Sequence, residues 1–201
     1  MKKNAIVGSV LLIALGLVAS PAMAQPKSPR GKSATQTGVG YSKWVTVDYS
    51  RPILRGRQGI LGEGESYGQK VNAGAPVWRA GADMSTRLNS EVDLKFGETT
   101  LPAGEYSLFV ELKSPDQWNL IVSNHKAQER YNPNDKEAIW GAYGYDAAND
   151  VLRVPMQVAP LADGLSIDQL TWLFGNVSET GGSLTLVWDN SVGTAAFSVA
   201  E

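Results

Sequence analysis

The stretch Gly104-Glu105-Tyr106-Ser107-Leu108-Phe109-Val110-Glu111-Leu112 (GEYSLFVEL, residues 104–112) indicates how this chain folds. Its even-numbered positions carry Tyr, Leu, Val and Leu, whereas Glu105, Ser107 and Glu111 stand between them. Successive side chains of a strand point to opposite faces, so this pattern predicts a strand with one face in a core. Turn signals flank it, at residues 97–102 before it and at Ser114-Pro115-Asp116 after it.

The same alternation recurs along most of the chain. It covers residues 43–49, 86–96, 117–123, 151–158, 166–175, 183–188 and 193–199. No segment has a strong amphipathic helical pattern, although residues 125–139 leave room for one or two helical turns. Strands without intervening helices favour antiparallel pairing. The sequence therefore predicts an all-β fold, either an antiparallel β-sandwich or a jelly roll.

The N-terminus has the pattern of a secretory signal peptide. Lys2 and Lys3 precede a mostly apolar run over residues 5–19, and Ala22 and Ala24 occupy the small-residue positions before Gln25. We expect cleavage after Ala24, which makes residues 1–24 the signal peptide and the mature protein soluble and periplasmic or secreted. An uncleaved membrane anchor is the alternative, but the apolar run is short for a span. No second hydrophobic span follows, so no membrane span is expected after cleavage.

Composition excludes several kinds of chemistry. The chain has no cysteine, which rules out disulfides, thiol nucleophiles and cysteine-bound zinc. It has one histidine, His125, so a site with several histidine ligands is impossible. No phosphate-binding glycine motif is present, and nucleic acid is not an expected partner of an exported, net acidic chain. We expect no cofactor and no metal; Asn/Asp-rich segments at 132–137 and 146–150 are better explained as turns than as calcium ligands.

Charge divides the mature chain into two parts. Residues 25–60 contain seven basic side chains and one acidic side chain, whereas residues 61–201 contain nine basic and nineteen acidic ones. Residues 25–40 are rich in Pro, Ser, Thr, Gly and Lys without apolar periodicity, which predicts an extended basic arm before a single β-sandwich domain at 41–201. The arm could bind an anionic partner or pack against the acidic body.

Three arginines, Arg51, Arg55 and Arg57, lie within seven residues directly after the strand pattern of 43–49. A glycine-rich loop follows at 56–74, and long loops in compact domains often carry function. Guanidinium groups this close repel one another unless they meet acidic side chains or an anionic ligand. Ion pairs with the acidic body are the simpler interpretation, and an anion-binding rim is the sharper one.

Two further segments combine aromatic and polar side chains. Trp78, Arg79 and Asp83 lie in the first, PVWRAGAD (76–83). Trp140, Tyr143 and Tyr145 lie in the second, WGAYGYD (140–146). Aromatic faces can stack on sugars or planar ligands while Arg and Asp orient them by hydrogen bonds. Sealing the ends of the sandwich is the structural alternative.

Several long segments, taken in order, resemble the exported bacterial family called domain of unknown function 2911. The resemblance rests on SPRGKSATQTG (28–38), VTVDYSRP (45–52), RGRQGILG (55–62), VWRAGADMST (77–86), LPAGEYSLF (101–109), WNLIVSN (118–124), WGAYGYD (140–146) with DVLRV (150–154), and LTWLFG (170–175). It implies a signal-bearing, mostly β protein and brings no assigned activity. The chain departs from the family pattern between Tyr67 and Trp78, where the usual short link is stretched.

The function predicted from the sequence is a non-enzymatic binding domain for a saccharide or an anionic envelope ligand. Its site would form where residues 51–57, 78–83 and 140–146 converge, because function tends to sit in such loops. A hydrolase of envelope material, using His125 or a carboxylate pair, is the enzymatic alternative. A structural or protein-interaction module, with the basic arm as its contact, is the third.

Overall fold

The structure is a computed structural model, and it describes residues 28–200. Strands make up most of this part of the chain. They are β1 (Arg30–Thr37), β2 (Lys43–Ser50), β3 (Thr86–Ser90), β4 (Leu94–Phe96), β5 (Thr99–Leu101), β6 (Gly104–Ser114), β7 (Gln117–Ser123), β8 (Lys126–Ala127), β9 (Ala138–Ile139), β10 (Asp150–Pro160), β11 (Ile167–Ser178), β12 (Gly181–Asp189) and β13 (Ser191–Val199). The helices are α1 (Gln69–Asn72) and three 3-10 turns, Val39–Tyr41, Gly64–Ser66 and Ala147–Asn149. Within residues 28–200, no helix has the length and apolar character needed to cross a membrane. The predicted signal peptide lies outside the described residues.

The long strands pair antiparallel in the order β1-β2-β3-β6-β7-β10-β13-β12-β11. Strand β10 belongs to both layers, because it pairs with β7 as far as Met156 and with β13 from Gln157 onward. The predicted all-β antiparallel fold is therefore confirmed. Strand β13 returns to lie beside β10, which makes β10–β13 a Greek key, whereas β1, β2, β3, β6 and β7 follow one another as a meander. A jelly roll contains two Greek keys, whereas the described strands form one, so the architecture is a β-sandwich.

The main core lies between the two layers. Leu108 and Val110 of β6 are fully buried, as are Leu170 and Trp172 of β11 on the other layer. The indole of Trp172 donates a hydrogen bond to the carbonyl oxygen of Ala80, so even this large side chain leaves no polar atom unpaired in the core. The alternation in the sequence predicted these inward faces because buried strands keep a period of two.

The segment predicted as an extended basic arm contains a strand of the same domain. Strand β1 pairs with β2 along its whole length, from Arg30 opposite Ser50 to Thr37 opposite Lys43. Thr37 also donates a side-chain hydrogen bond to the carbonyl oxygen of Ser178 in β11, at 2.8 Å. Strand β1 thus closes the open side of the sandwich. The sequence did not reveal it because an edge strand with polar and small side chains has no apolar periodicity.

A second, smaller core covers the outer face of β6 and β7. Phe109 and Ile121 point away from the main core, are fully buried, and pack with Val77 and Ala142. Residues 125–139, where the sequence left room for one or two helical turns, cross this face without a helix. Side chains bind the local backbone instead: Asp135 Oδ1 accepts hydrogen bonds from two following amides. This outer layer positions the loop that contains Trp140.

Candidate functional site

A pocket of about 510 Å³ opens at one end of the sandwich, between the segment that follows β2 and the segment that precedes β3. We call it the arginine pocket. The loop that follows β9 and the region around α1 complete its wall. Its lining is Ser28, Pro52, Ile53, Arg55, Arg57, Ile60, Lys70, Val71, Ala73, Trp78, Arg79, Gly81, Ala82, Asp83, Trp140, Tyr143 and Trp188.

The three segments predicted to form one site converge in this pocket. Seven of the nine predicted ligand-binding residues line it: Arg55, Arg57, Trp78, Arg79, Asp83, Trp140 and Tyr143. The other two, Arg51 and Tyr145, do not line it. Arg51 and Tyr145 instead form hydrogen bonds that hold the pocket-lining segments in place.

The turn with Arg55 is tied to the edge of β11. The amide of Leu54 donates to the carbonyl oxygen of Asp168 (2.8 Å), and the amide of Leu170 donates to that of Pro52 (3.0 Å). The chain then reverses at Arg55 and Gly56, whose φ angles are 53° and 76°. Only glycine adopts such angles without cost, so Gly56 makes the turn possible and Arg55 carries backbone strain.

Arg57 and Arg51 leave this segment in different directions. The guanidinium of Arg57 donates to the carbonyl oxygens of Leu54 (2.8 Å, from Nε) and Ile53 (2.7 Å, from Nη2), so its own turn holds it beside the pocket. Arg51 instead donates to the carbonyl oxygen of Leu170 (3.2 Å) in β11, and its Nη2 donates to the neighbouring threonine hydroxyl. Arg51 therefore fastens the turn to the second layer.

Trp78 continues the sheet beyond the start of β3. Its amide and carbonyl both bond to Val110 of β6, at 2.9 and 2.8 Å. The chain then turns sharply at Ala80 (φ 48°), whose carbonyl oxygen accepts hydrogen bonds from the Trp172 indole (3.0 Å) and the Thr86 hydroxyl (3.2 Å). Core side chains thus fix a strained turn that displays Arg79 and Asp83.

Arg79 is held between two segments. Its Nη1 donates to the backbone carbonyl oxygen of Asp83 at 2.9 Å, and its guanidinium lies 5.6 Å from the ring centroid of Tyr143. A cation at this distance over an aromatic face is attracted by it. Gly141 makes the contact possible, because a Cβ there would lie 2.5 Å from Nη1. The hydroxyl of Ser85 donates to the Gly141 carbonyl oxygen (2.6 Å) and fixes the loop.

A charged network on the outer face of β6, β7 and β10 anchors the loop over 140–146. The Tyr145 hydroxyl donates to Asp150 (2.6 Å) and accepts from Arg153 (2.9 Å). Burial and the Asp150 carboxylate raise the pKa of Tyr145, so the phenol stays protonated. Arg153 also pairs with Glu111 at 2.9 Å. Burial alone would raise the pKa of Glu111, but hydrogen bonds from Asn119 and Arg153 lower it.

The arginine pocket is positively charged. Four cationic side chains line it, Arg55, Arg57, Lys70 and Arg79, against the single carboxylate of Asp83. Within residues 28–200 none of these cations forms an ion pair. The simpler interpretation of the arginines of 51–57, ion pairs with acidic side chains, is therefore wrong for the part of the chain that the structure describes. Backbone carbonyl oxygens hold the guanidinium groups of Arg51 and Arg57 instead, and these oxygens neutralise no charge.

The aromatic residues of the pocket have different exposures. Trp78 and Trp188 stack at 6.0 Å and are almost completely buried, so they form its floor as part of the core. Tyr143 is 53% exposed, and Trp140 is partly exposed beside Tyr131, whose ring lies 5.9 Å away. Trp140 and Tyr143 are thus the rings that a ligand can reach.

Sequence reasoning missed the contribution of α1. Lys70 and Val71, together with Ala73 at the end of the helix, bring a cation and two apolar side chains to the pocket wall. Nothing in the sequence marks a four-residue helix inside a glycine-rich loop. The burial of Ile60 and Tyr67 is the feature that folds this loop back onto the sandwich.

Neither His125 nor a pair of carboxylates is assembled for hydrolysis in the arginine pocket. His125 accepts a hydrogen bond at Nε2 from the amide of Asp146 (2.9 Å) and packs against Phe109 and Tyr145, away from the pocket. In the described part of the pocket lining, Asp83 is the one carboxylate, whereas glycoside hydrolysis uses two. Among residues 28–200 no three His, Asp or Glu side chains are grouped as metal ligands.

Comparison with known proteins gives one result. The model of a family described as protein of unknown function (DUF2911) matches residues 28–197. Searches of curated proteins and of solved structures found no match. The matched range includes every pocket-lining residue, from Ser28 to Trp188. The chain therefore belongs to the DUF2911 family, as the collinear segments in its sequence predicted.

Proposed function

We propose that this protein is exported and binds an anionic ligand in the arginine pocket. A saccharide of the cell envelope that carries carboxylate, phosphate or sulfate groups fits the pocket best. The observation that carries the proposal is the convergence of four cationic side chains, without an ion pair among the described residues, beside two reachable aromatic rings.

The charge balance supports an anion over a neutral ligand. Like charges gathered at one place repel one another, which costs free energy in the unliganded protein. The remainder of the chain is rich in acidic residues, yet among residues 28–200 Asp83 is the one acidic side chain that lines the pocket. A bound anion would offset the repulsion. Guanidinium groups also match the planar carboxylate and the phosphate group with two parallel hydrogen bonds.

The pocket is prepared before a ligand arrives. Arg57 and Arg79 are fixed by hydrogen bonds to carbonyl oxygens, so they lose little freedom on binding. Three non-glycine residues of the pocket adopt left-handed backbone angles: Arg55 (53°), Ala73 (53°) and Asp83 (57°). Such strain concentrates at functional sites, where the fold maintains it for a purpose.

The aromatic rings favour a ligand that also has a ring. Trp140 and Tyr143 both line the pocket and are both accessible to solvent. An apolar sugar face can lie on such a ring while the cations bind its acidic group. Export brings the protein into contact with envelope polymers, and the signal pattern of residues 1–24 supports export.

A thermal-shift screen of the mature protein tests this proposal. The panel contains oligosaccharides of uronic acids, sugar phosphates, inorganic phosphate and sulfate, and the neutral counterparts of each sugar. A ligand at about 100 times its Kd adds about 2.7 kcal/mol, which for a domain of this size raises Tm by roughly 5–10 °C. Anionic members should raise Tm and their neutral counterparts should not.

Three variants locate the binding site. Arg79→Ala and Arg55→Ala should abolish the shift, and Arg55 makes no side-chain hydrogen bond within residues 28–200, so its replacement should leave the fold intact. Lys43→Ala is the control, because Lys43 is exposed and lies outside the pocket lining. An equal shift in all three variants would place any anion elsewhere, and no shift with any anion would remove the proposal.

A further inference from the structure

A groove of about 450 Å³ crosses the outer face of β1, β2 and β3. We call it the Trp44 groove. It is lined by Lys32, Ala34, Trp44, Thr46, Asn89 and Glu91, and it shares no lining residue with the arginine pocket. It lies on the face that the sandwich core does not use, because Val45 and Val47 of β2 point inward and are fully buried.

Strand register explains the shape of the groove. Ala34, Thr46 and Asn89 stand side by side on three neighbouring strands, and their short side chains form the floor. On one side the floor is bounded by Trp44, and on the other by the row that contains Lys32 and Asp48. These two rows are four residues apart along the strands, about 13 Å, which leaves room for one sugar ring lying flat between them.

Trp44 forms an exposed wall, and hydrogen bonds hold its backbone. It is 46% exposed, although Trp is usually well buried. Its amide donates to Glu91 Oε2 (2.8 Å), and its carbonyl oxygen accepts from the Glu91 amide (2.9 Å). Large exposed aromatic faces are typical of binding surfaces.

The row beside the Trp44 groove contains two ion pairs, and within residues 28–200 the Glu91 carboxylate is the one charged group of the groove lining that lies outside them. Lys32 pairs with Asp48 at 3.5 Å, and Arg87 in the same row pairs with Glu105 at 2.8 Å. In contrast to the arginine pocket, no surplus of cations attracts an anion. The side chains of Thr46 and Asn89, however, make no hydrogen bond within residues 28–200, so a hydroxyl, a carbonyl and an amide remain available on the floor.

We propose that the Trp44 groove is a second binding site, which takes a neutral saccharide chain. One ring would stack on the Trp44 indole, while Thr46, Asn89 and the Glu91 carboxylate exchange hydrogen bonds with its hydroxyls. An apolar ring face beside several donors and acceptors matches the composition of a pyranose, and without a surplus of cations the described lining favours a neutral saccharide over an anionic one. This site does not depend on the function proposed for the arginine pocket, and either can fail without the other.

Isothermal titration of the mature protein with three neutral hexasaccharides tests this site: an α-1,4-glucan, a β-1,4-glucan and a β-1,4-linked N-acetylglucosamine chain. Trp44→Ala removes the stacking ring. Ala34→Tyr keeps Trp44 but fills the floor from an exposed strand position that accepts an aromatic residue. Tyr131→Ala controls for loss of an exposed aromatic ring, since Tyr131 is 61% exposed and lies outside the groove lining. Arg55→Ala controls for the arginine pocket.

At least one hexasaccharide should bind the wild type, with the same affinity at about 0.15 M and about 1 M NaCl, because the ligand is uncharged and salt screens only interactions between charges. Trp44→Ala and Ala34→Tyr should each weaken binding about tenfold or more, and the two control variants should not. Absence of binding by all three hexasaccharides, or unchanged binding in both groove variants, would overturn the proposal. A concentration-dependent dimer that Trp44→Ala abolishes, without saccharide binding, would also overturn it and assign this face to a second copy of the chain.

Discussion

Replacing Gly141 with alanine tests how the arginine pocket is built. Gly141 has φ 63°, and a Cβ at this position would lie 2.5 Å from Arg79 Nη1 and 3.0 Å from the Asp83 carbonyl oxygen. The substitution therefore strains the backbone and displaces the guanidinium from the oxygen that holds it. Both effects belong to the same small region of the pocket wall.

The expected loss of stability has two parts. A non-glycine residue with a left-handed backbone costs about 1–2 kcal/mol. Displacing Arg79 removes a charged hydrogen bond, worth about 1.5–3 kcal/mol, and the contact with Tyr143, worth about 0.5–1 kcal/mol. We expect Gly141→Ala to lower the free energy of unfolding by about 3–6 kcal/mol.

Urea denaturation followed by tryptophan fluorescence measures this loss. Gly144→Ala is the matched control, because Gly144 has φ 79° in the same loop and its nearest Cβ contact is an ordinary 3.7 Å from Ile139. It should cost only the backbone part, about 1–2 kcal/mol. In an Arg79→Ala background, Gly141→Ala should cost at least about 1 kcal/mol less than in the wild type, because the clashing group is gone.

Two results would refute this reasoning. Equal losses for Gly141→Ala and Gly144→Ala would mean that the close approach of Arg79 to Gly141 has no energetic weight. Strict additivity of Arg79→Ala and Gly141→Ala would mean that the two residues are not coupled. Either result would leave Arg79 without the fixed position on which the proposed anion recognition depends.

Three further predictions concern the surroundings of the pocket. Tyr145→Phe should lower the free energy of unfolding by about 1–3 kcal/mol, as measured by chemical denaturation. The Asp150 carboxylate then loses the hydrogen bond from the phenol, and its other oxygen, Oδ1, is already buried without a partner among the described residues. The pKa of Glu111 is lowered in the folded protein, so the stability that its carboxylate contributes is present above the unfolded pKa and is lost as pH falls through the folded pKa. Stability should therefore decline below about pH 4.5. Glu111→Gln should flatten this decline, which is measured as Tm against pH. Asp83→Asn should strengthen anion binding about twofold to fivefold by calorimetry, because it removes the carboxylate from the pocket and asparagine tolerates the left-handed backbone. A Tyr145→Phe protein as stable as the wild type, an unchanged acid profile for Glu111→Gln, or weaker anion binding by Asp83→Asn would each contradict the corresponding contact.

The strands could be predicted from the sequence because each inward face repeats every second residue. Leu108 and Val110 of β6 illustrate this, since both are fully buried as the alternation requires. Phe109 between them shows the limit of the method. It is fully buried on the opposite face, under a layer that contributes only two short strands and no helix. Period-two alternation identifies one covered face and gives no sign that the second face is covered too.

The candidate site was predictable as a set of segments rather than as a set of roles. Three segments rich in Arg and aromatic residues do converge, but Arg51 and Arg55, which are four positions apart, have different roles. Arg51 fastens the turn to β11, whereas Arg55 lines the pocket. The left-handed backbone angle at Arg55 sets the direction of its side chain, and no pattern in the sequence specifies this angle. Lys70 reaches the pocket only because distant apolar residues fold its loop back.

Titration of ¹⁵N-labelled mature protein with inorganic phosphate, against chloride at equal ionic strength, tests the central claim most directly. If the arginine pocket is an anion site, phosphate should shift the amide signals of Arg55, Arg57, Arg79 and Asp83 and the Trp140 indole signal together. These shifts should saturate along one binding curve and disappear in Arg79→Ala. Shifts that are no larger than those caused by chloride, or that are spread over the basic residues of the whole surface, would contradict the claim.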